Sequence, residues 1–339
     1  MSQALSEFLD WRRHGYADTR ALGECLQALV NERLDQLPLP AGGQTLERWQ
    51  ALACVAGHDL GLCKLFEGHT DALAIMHELQ APLPDTGSTW GMWAAEPPQA
   101  RVNVRRDAGS LGLNGRKAWC SGAAVLSHAL ITTWDEQDRQ QLVAVKLDQA
   151  GVTVSNDGWR AIGMGATGSV EVLFENAQAM AVGEPGAYLA RPGFWQGGIG
   201  IAACWYGASR AIAQRLLQQA IKQDEPHAMA HLGAVDVALH GASTVLQTAA
   251  VSLDSNPHDN AELMARRCRA VIENSAEQII SHVGRAMGAG PYCKDAHFAR
   301  LIADLPVFLR QSHAERDLAA LGQLTARLGS VPPSRTWLL

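Results

Sequence analysis

Between residues 88 and 180 the hydrophobic pattern of this chain changes period, and that change limits its fold more than any other feature. On either side, apolar residues recur every three or four positions, the spacing of one helix face. Inside the segment, Leu130-Ile131-Thr132-Thr133-Trp134, Leu142-Val143-Ala144-Val145-Lys146-Leu147, Val152-Thr153-Val154 and Val170-Glu171-Val172-Leu173-Phe174 are runs of strand length rich in β-branched residues. Glycines punctuate it, from Gly109 to Gly168. Short strands parted by turn signals favour a barrel or sandwich over a βαβ unit. The chain therefore reads as α+β. Residues 1–85 form an N-terminal helical domain and 86–182 a central β-barrel or sandwich domain. Residues 183–330 form a C-terminal four-helix bundle, and 331–339 a tail.

The flanking helices can be placed from their punctuation. Ala21 to Leu34 is periodic, and Pro38-Leu39-Pro40-Ala41-Gly42-Gly43 ends it, because proline lacks an amide donor and glycine permits turns. Thr45 reads as the N-cap of a helix reaching Gly57, with Asp59 and Thr70 as further starts. Helices are expected at about 196–223, 226–253, 258–287 and 295–328, the last broken near Pro306. Long amphipathic helices with short turns suit an antiparallel bundle.

Bulk properties exclude several classes. With 47% hydrophobic and 18% charged residues, the chain is neither disordered nor fibrous. A net charge of -6 argues against bulk binding of nucleic acid or anionic membrane. Seven cysteines, an odd number without a CxxC pair, read as reduced thiols of a cytoplasmic protein. The N-terminus has no apolar signal core, and no apolar stretch is long enough to span a membrane.

The chemistry is expected around Leu113-Asn114-Gly115-Arg116-Lys117-Ala118-Trp119-Cys120-Ser121-Gly122-Ala123. Asn-Gly is a strong hairpin signal. Trp119 and Ser121 stand two apart on the strand that follows, so both side chains are expected on one sheet face. An indole packs along planar cofactors and a hydroxyl donates to ring nitrogens. A tryptophan in the sheet core beside an ordinary serine fits the same spacing.

This order of segments resembles the acyl-CoA dehydrogenases. Their Asn-Gly hairpin followed by Lys-x-Trp-x-Ser/Thr reads here from Asn114 to Ser121. Pro38–Gly43 is similar to their Pro-x-x-x-Gly-Gly turn. Asp59 with His69 is similar to the helix that follows. Trp93-Ala94-Ala95-Glu96-Pro97 is similar to their aromatic-x-Thr-Glu-Pro entry. Gly163–Ser169 through Phe174 is similar to their Gly-x-Arg-Gly-Ser…Val-x-Phe stretch. Five matches run in order between Pro38 and Phe174. The resemblance implies bound FAD, a homodimer or homotetramer, and a small-molecule substrate, an acyl-CoA or related acyl thioester, oxidised at Cα–Cβ. It implies that Trp93, Ala94, Ala95, Trp119, Cys120 and Ser121 border the flavin. Gly288 and Gly290 would stand in for a glycine turn near its adenine, although a helix C-cap explains them equally.

The departures from the family are as informative. Ala95 replaces a threonine, and Pro98–Asn103 replaces the loop that touches acyl-CoA. Gln223-Asp224-Glu225-Pro226-His227 lies where the family has an Arg-x-x-Phe-Gly segment for the FAD pyrophosphate. The catalytic glutamate is missing from both places where the family puts one, Gly197 and the loop Arg310-Gln311-Ser312-His313. Removal of an acyl α-proton suits a carboxylate of raised pKa. Ser312 and His313 are the candidates left at that point, with Glu315 three positions on. A branch of the family, the flavin-dependent monooxygenases, also lacks that glutamate, so oxygenation of a small aromatic or heterocyclic molecule is the alternative. A homologue that keeps the fold as a binding or structural subunit is the third.

Three further patterns carry weaker signals. Gly163-Met164-Gly165-Ala166-Thr167-Gly168 matches Gly-x-Gly-x-x-Gly by letter but lacks a βαβ context, so no Rossmann site is expected. His227, His231 and His240 fall along one helix without a third ligand, and a solvated face explains them better than a metal site. Trp195 and Trp205 read as core residues or as the lining of a substrate pocket.

Overall fold

The computed structural model describes residues 2–12, 15–82, 84–107, 110–330 and 337. Gly109 and all of the 331–339 tail except Trp337 lie outside the described residues. The chain opens with four helices, α1 (Ser2–Asp10), α2 (Thr19–Asn31), α3 (Thr45–His58) and α4 (Leu60–Glu78). Seven strands follow, β1 (Trp90–Trp93), β2 (Val102–Asp107), β3 (Ser110–Cys120), β4 (His128–Trp134), β5 (Gln140–Lys146), β6 (Val152–Val154) and β7 (Val170–Ala181). A 3-10 turn at Gly165–Thr167 precedes β7. The rest is helical: α5 (Ala187–Ala190), α6 (Gly193–Lys222), α7 (Pro226–Ser255), α8 (Glu262–Met287), α9 (Ala289–Lys294), α10 (Ala296–Leu309) and α11 (Glu315–Gly329).

The sheet runs β1-β4-β2-β3-β7-β5, and β5 also pairs with β4. Five strands therefore close on themselves as a small barrel, with β1 and β6 as outer flaps, and closure removes the exposed edges that invite aggregation. β4 and β5 are buried at five consecutive positions rather than alternating, because helices cover the sheet face that water would otherwise touch.

Asn114-Gly115 is not a hairpin turn, contrary to the sequence expectation. Both residues lie inside β3, where Asn114 pairs with Asn103 and Gly115 with Val102. The chain reverses instead between Asp107 and Ser110. Asn-Gly marks an irregularity: β7 inserts Asn176 between the partners of Leu113 and Asn114. Asn176 is left-handed at φ 53, and its amide donates to the Asn114 side-chain oxygen at 2.9 Å. Gly115 has φ 129 and packs against the Arg101 carbonyl, where a Cβ would clash. The letters that favour a tight turn thus serve a β-bulge, which needs the same positive-φ tolerance.

Three helix expectations also change. Thr45 begins α3 but does not cap it. Its amide and that of Gly43 donate to the carboxylate of Asp254 on α7, at 3.1 and 3.0 Å, and its hydroxyl bonds to Asp254 as well. A carboxylate from 209 residues away does the capping, favoured by the positive helix end. Thr70 lies mid-helix, while Asp59 caps α4 through the Leu62 amide at 2.9 Å. Pro306 sits within α10, and the break falls later, at 310–314, where Ala314 turns with φ 43.

Gly115→Ala should destabilise the protein by about 2 kcal/mol, because it adds strain at positive φ and a backbone clash. Urea unfolding of the variant measures this. Asn114→Asp is expected to cost far less, since it keeps the acceptor for Asn176.

Candidate functional site

α4 is the wall between the barrel and the bundle. Gly68 approaches the Met92 amide of β1, and a Cβ there would sit 3.6 Å from that nitrogen. His69, one residue on, accepts from the Trp90 amide at Nδ1 over 3.1 Å. Its proton is therefore on Nε2, which donates to Asp35 at 3.0 Å. The other long edge of α4 faces α6 and α10. Lys64 lies 6.0 Å from the Phe308 ring centroid, and a Cβ on Gly197 would stand 3.2 Å from Asp71 Oδ1.

The exit of β1 is held from below. Lys117 is fully buried, and its Nζ donates to the Thr132 carbonyl at 2.7 Å and hydroxyl at 2.8 Å. The Thr132 hydroxyl donates to Glu96 at 2.6 Å, and Lys117 itself lies 3.5 Å from that carboxylate. Burial lowers the Lys117 pKa to about 8 despite the nearby charge of Glu96. The lysine of the Lys-x-Trp-x-Ser motif thus pins Trp93-Ala94-Ala95-Glu96 to the barrel.

Trp119 and Ser121 do not share a face by strand alternation. Three residues of β3 span two of β7 between Lys117 and Cys120, and Trp119 has φ 58. This kink leaves the indole 50% exposed, while Ser121 is buried in the following turn. Ser121 Oγ bonds Ser169 Oγ at 2.7 Å, which in turn bonds Thr167 Oγ1 at 2.8 Å. The Ser121 carbonyl accepts from Trp93 Nε1 at 3.2 Å. Cys120 is fully buried, and its thiol donates to the Lys117 carbonyl at 3.4 Å. Ala94 is exposed and Ala95 half-buried, which leaves the β1 exit backbone uncovered.

The segment carrying Thr167 and Ser169 docks on α10. Gly163 packs so tightly on the Ala303 carbonyl that a Cβ would clash, and the Met164 amide donates to Asp304. Burial raises the Asp304 pKa to about 6.

The two positions where the resemblance calls for a glutamate come together in space, but around a cation. Arg269 of α8 donates to the Gly198 carbonyl at 2.8 Å and to the Gln311 carbonyl at 3.2 Å. Its guanidinium lies 4.7 Å from the centroid of the Trp205 ring, and burial lowers its pKa. Ser312 is buried, and its hydroxyl accepts from the Ala314 amide at 3.1 Å, a turn role. His313 is mostly exposed, and its amide donates to Asp317 at 2.9 Å. Glu315 is exposed in the first turn of α11. Gly288, with φ 63, is the C-cap of α8, and Gly290 lies in α9; both are exposed. The C-cap reading accounts for Gly288.

Residues 84–177 match the sequence profile of the acyl-CoA dehydrogenase middle domain. No curated protein matches the chain. Solved structures match almost end to end. Methanesulfinate monooxygenase MsuC from Pseudomonas fluorescens is 19% identical with a TM-score of 0.78, covering 99% of this chain and 96% of that one. TdsC from Paenibacillus sp. A11-2, solved with FMN and indole, is 17% identical with a TM-score of 0.76, covering 99% and 98%. KijD3, solved with FMN and a dTDP-linked amino sugar, is 19% identical with a TM-score of 0.76, covering 90% and 86%. This is the acyl-CoA dehydrogenase-like fold.

Against that fold, the sequence missed the charges on the edge of α4 that faces α6 and α10. Lys64 and Glu67 pair on α4, and burial raises the Glu67 pKa. Asp71 lies one turn further. Three charges at i, i+3 and i+7 in the otherwise apolar Leu60–Glu78 helix were the available signal. Arg266 and Arg269 were invisible because α8 is rich in charge on its outer face. Among the described residues no group of three or more His, Cys, Asp or Glu side chains is placed to hold a metal. His231 bonds His282 of α8 at 2.9 Å rather than joining His227. All seven cysteines are free, and among the described residues no helix is long and apolar enough to cross a membrane.

Asp304 gives a pH test of the clamp. Burial pushes its carboxyl up to about 6 in the folded chain, against 3.8 for an ordinary aspartate. Between those values the folded protein keeps a proton that the unfolded chain has lost, so stability falls as pH rises through the window and stays lower above it. Asp304→Asn keeps an acceptor for Met164 without the charge. Relative to wild type, the variant should gain on the order of 2 kcal/mol from pH 4 to pH 7 in denaturant unfolding.

Proposed function

We propose that this chain is a flavin-dependent oxidoreductase that oxygenates a small molecule, and that FMN is its flavin. The observation that carries the reading is Arg269 between the Gly198 and Gln311 carbonyls, a buried cation where acyl-CoA dehydrogenation needs a carboxylate.

The residues present fit a flavin. Trp119 holds a half-exposed indole on a left-handed backbone, which costs about 1–3 kcal/mol to keep. Trp119 would lie along the ring system, and the uncovered backbone of Ala94 and Ala95 would meet its edge. When bound, a flavin supplies two-electron transfer and, once reduced, reaction with dioxygen. The chain's own contribution is positional. Lys117, Thr132 and Glu96 fix the β1 exit, the Ser121–Ser169–Thr167 hydroxyl chain fixes the turn after Trp119, and Asp304 fixes that turn against α10.

FMN is favoured over FAD by the start of α7. The resemblance places an arginine for the pyrophosphate there, but Glu225 occupies the cap and accepts from the His227 and Ala228 amides. A carboxylate opposes a second phosphate. The segment that follows Glu96-Pro97 is also short, leading directly into β2, with no loop to receive a CoA chain. Assembly into a homo-oligomer belongs to the same reading. α11 buries none of its residues, and Leu318 and Leu328 stay about half exposed.

A second reading, dehydrogenation of an acyl thioester, is favoured by one observation, the approach of Asp71 Oδ1 to the Gly197 position. The two separate cleanly. FMN should quench on titration with the purified protein and bind at least tenfold more tightly than FAD. Trp119→Ala should weaken FMN by roughly tenfold without unfolding the chain. With FMN bound and oxygen excluded, acyl-CoAs of any chain length should leave the 450 nm absorbance unchanged. Bleaching by an acyl-CoA selects the second reading, and a protein that holds no flavin removes both.

A further inference from the structure

The barrel carries a cavity of about 360 Å³ that Trp93, Ala94, Ala95, Trp119 and Ser121 do not line. Small-molecule sites begin at roughly 300 Å³. Strand pairing builds it. Trp90 of β1 and Lys146 of β5 flank His128 of β4, and Ala144 of β5 stands beside Met180 of β7. Residues two apart on a strand share a face, so all five side chains lie on one side of the sheet. Met76 at the end of α4 adds to the apolar lining, and Met180 stays 40% exposed.

The imidazole of His128 lines this cavity and stacks on the Trp90 indole, with ring centroids 4.6 Å apart. Its surroundings fix the tautomer. The Ser127 hydroxyl has a single proton, which it donates to the Thr89 carbonyl at 2.8 Å. Toward His128 Nδ1, 2.9 Å away, that oxygen can only accept, so Nδ1 carries the ring proton. Burial lowers the His128 pKa; Asp85 opposes the shift and Lys146 adds to it. The ring is therefore neutral near pH 7, and Nε2 is a bare lone pair. Among the described residues no donor is bonded to it.

We infer that this cavity is a second small-molecule site, and that it takes a neutral aromatic alcohol whose hydroxyl donates to His128 Nε2. A lone pair only accepts, so the ligand must bring the donor. Lys146 and Asp85 set opposite charges near the ring, so a ligand of either sign meets repulsion as well as attraction. The thioethers of Met76 and Met180 pack favourably against aromatic rings. An ether of the same shape would leave Nε2 without a partner. The site does not depend on the flavin reading, since it shares none of the residues assigned to the cofactor.

2-Naphthol and 2-methoxynaphthalene are the probes, titrated calorimetrically into the protein with and without saturating FMN. They share an apolar body, and only the first has a donor. 2-Naphthol should bind roughly fivefold more tightly, the worth of one neutral hydrogen bond, and FMN should leave its affinity within twofold. His128→Phe keeps a ring against Trp90 but removes the lone pair, and it should erase the preference without changing FMN affinity. Met180→Trp leaves His128 in place and fills the cavity. It should weaken 2-naphthol by roughly tenfold or more with the melting temperature retained. Failure of 2-naphthol to bind, equal binding of the two probes, or a His128→Phe variant that keeps the preference overturns the inference. So does competition between 2-naphthol and FMN, which moves the probe to the flavin site. Where His128→Phe fails to fold, Met180→Trp decides, and 2-naphthol binding that survives it overturns the inference. A wild type that takes no FMN but still selects 2-naphthol through His128 defeats the flavin reading and leaves this one standing.

Discussion

His69 accepts the Trp90 amide proton at Nδ1 and must then donate from Nε2 to Asp35. One buried imidazole thereby joins the turn after α2, the middle of α4 and the first strand. An unpaired donor at that depth would cost on the order of 1–3 kcal/mol, so the three parts are held in one arrangement. The consequence is geometric. With β1 fixed against one edge of α4, the opposite edge, bearing Lys64, Glu67 and Asp71, is committed to face α6 and α10.

The barrel is tied to the helices a second time through the turn at Gly163–Ser169. Asp304 receives the Met164 amide, and the hydroxyls of Thr167, Ser169 and Ser121 relay that anchor to the kink after Trp119. The exposed indole is thus supported from two directions, by Lys117 under the sheet and by α10 beyond it. A hydroxyl spent inside this relay is a positioning group. Ser121 stands in this relay through Ser169, and its carbonyl accepts from the Trp93 indole.

The charges here are rearranged relative to the dehydrogenases that the sequence resembles. The places that would carry a glutamate are glycine and a loop bound by Arg269, while the Asp71 carboxylate of α4 packs against Gly197. Moving a negative charge from one helix to another changes what a bound molecule must offer, even though the scaffold is the same. Fold and reaction are therefore separate conclusions here.

The order of helices, strands and helices was legible because period and punctuation are local properties. The β-branched runs, the Pro38–Gly43 break and the Asp59 cap each act within a few residues. Asn114-Gly115 shows the limit of that logic: positive-φ tolerance is written in the letters, but whether it makes a turn or a bulge depends on the partner strand. Thr45 shows it again, since its helix is capped by a carboxylate 209 residues away. The motif around Trp119 announced a flavin-like site, yet the face each side chain takes follows from a bulge against β7. Asp71, Glu67 and Arg269 are ordinary letters in helical patterns. Only tertiary packing removes water from around them, and desolvation and distance, which no local spacing encodes, give them their chemistry.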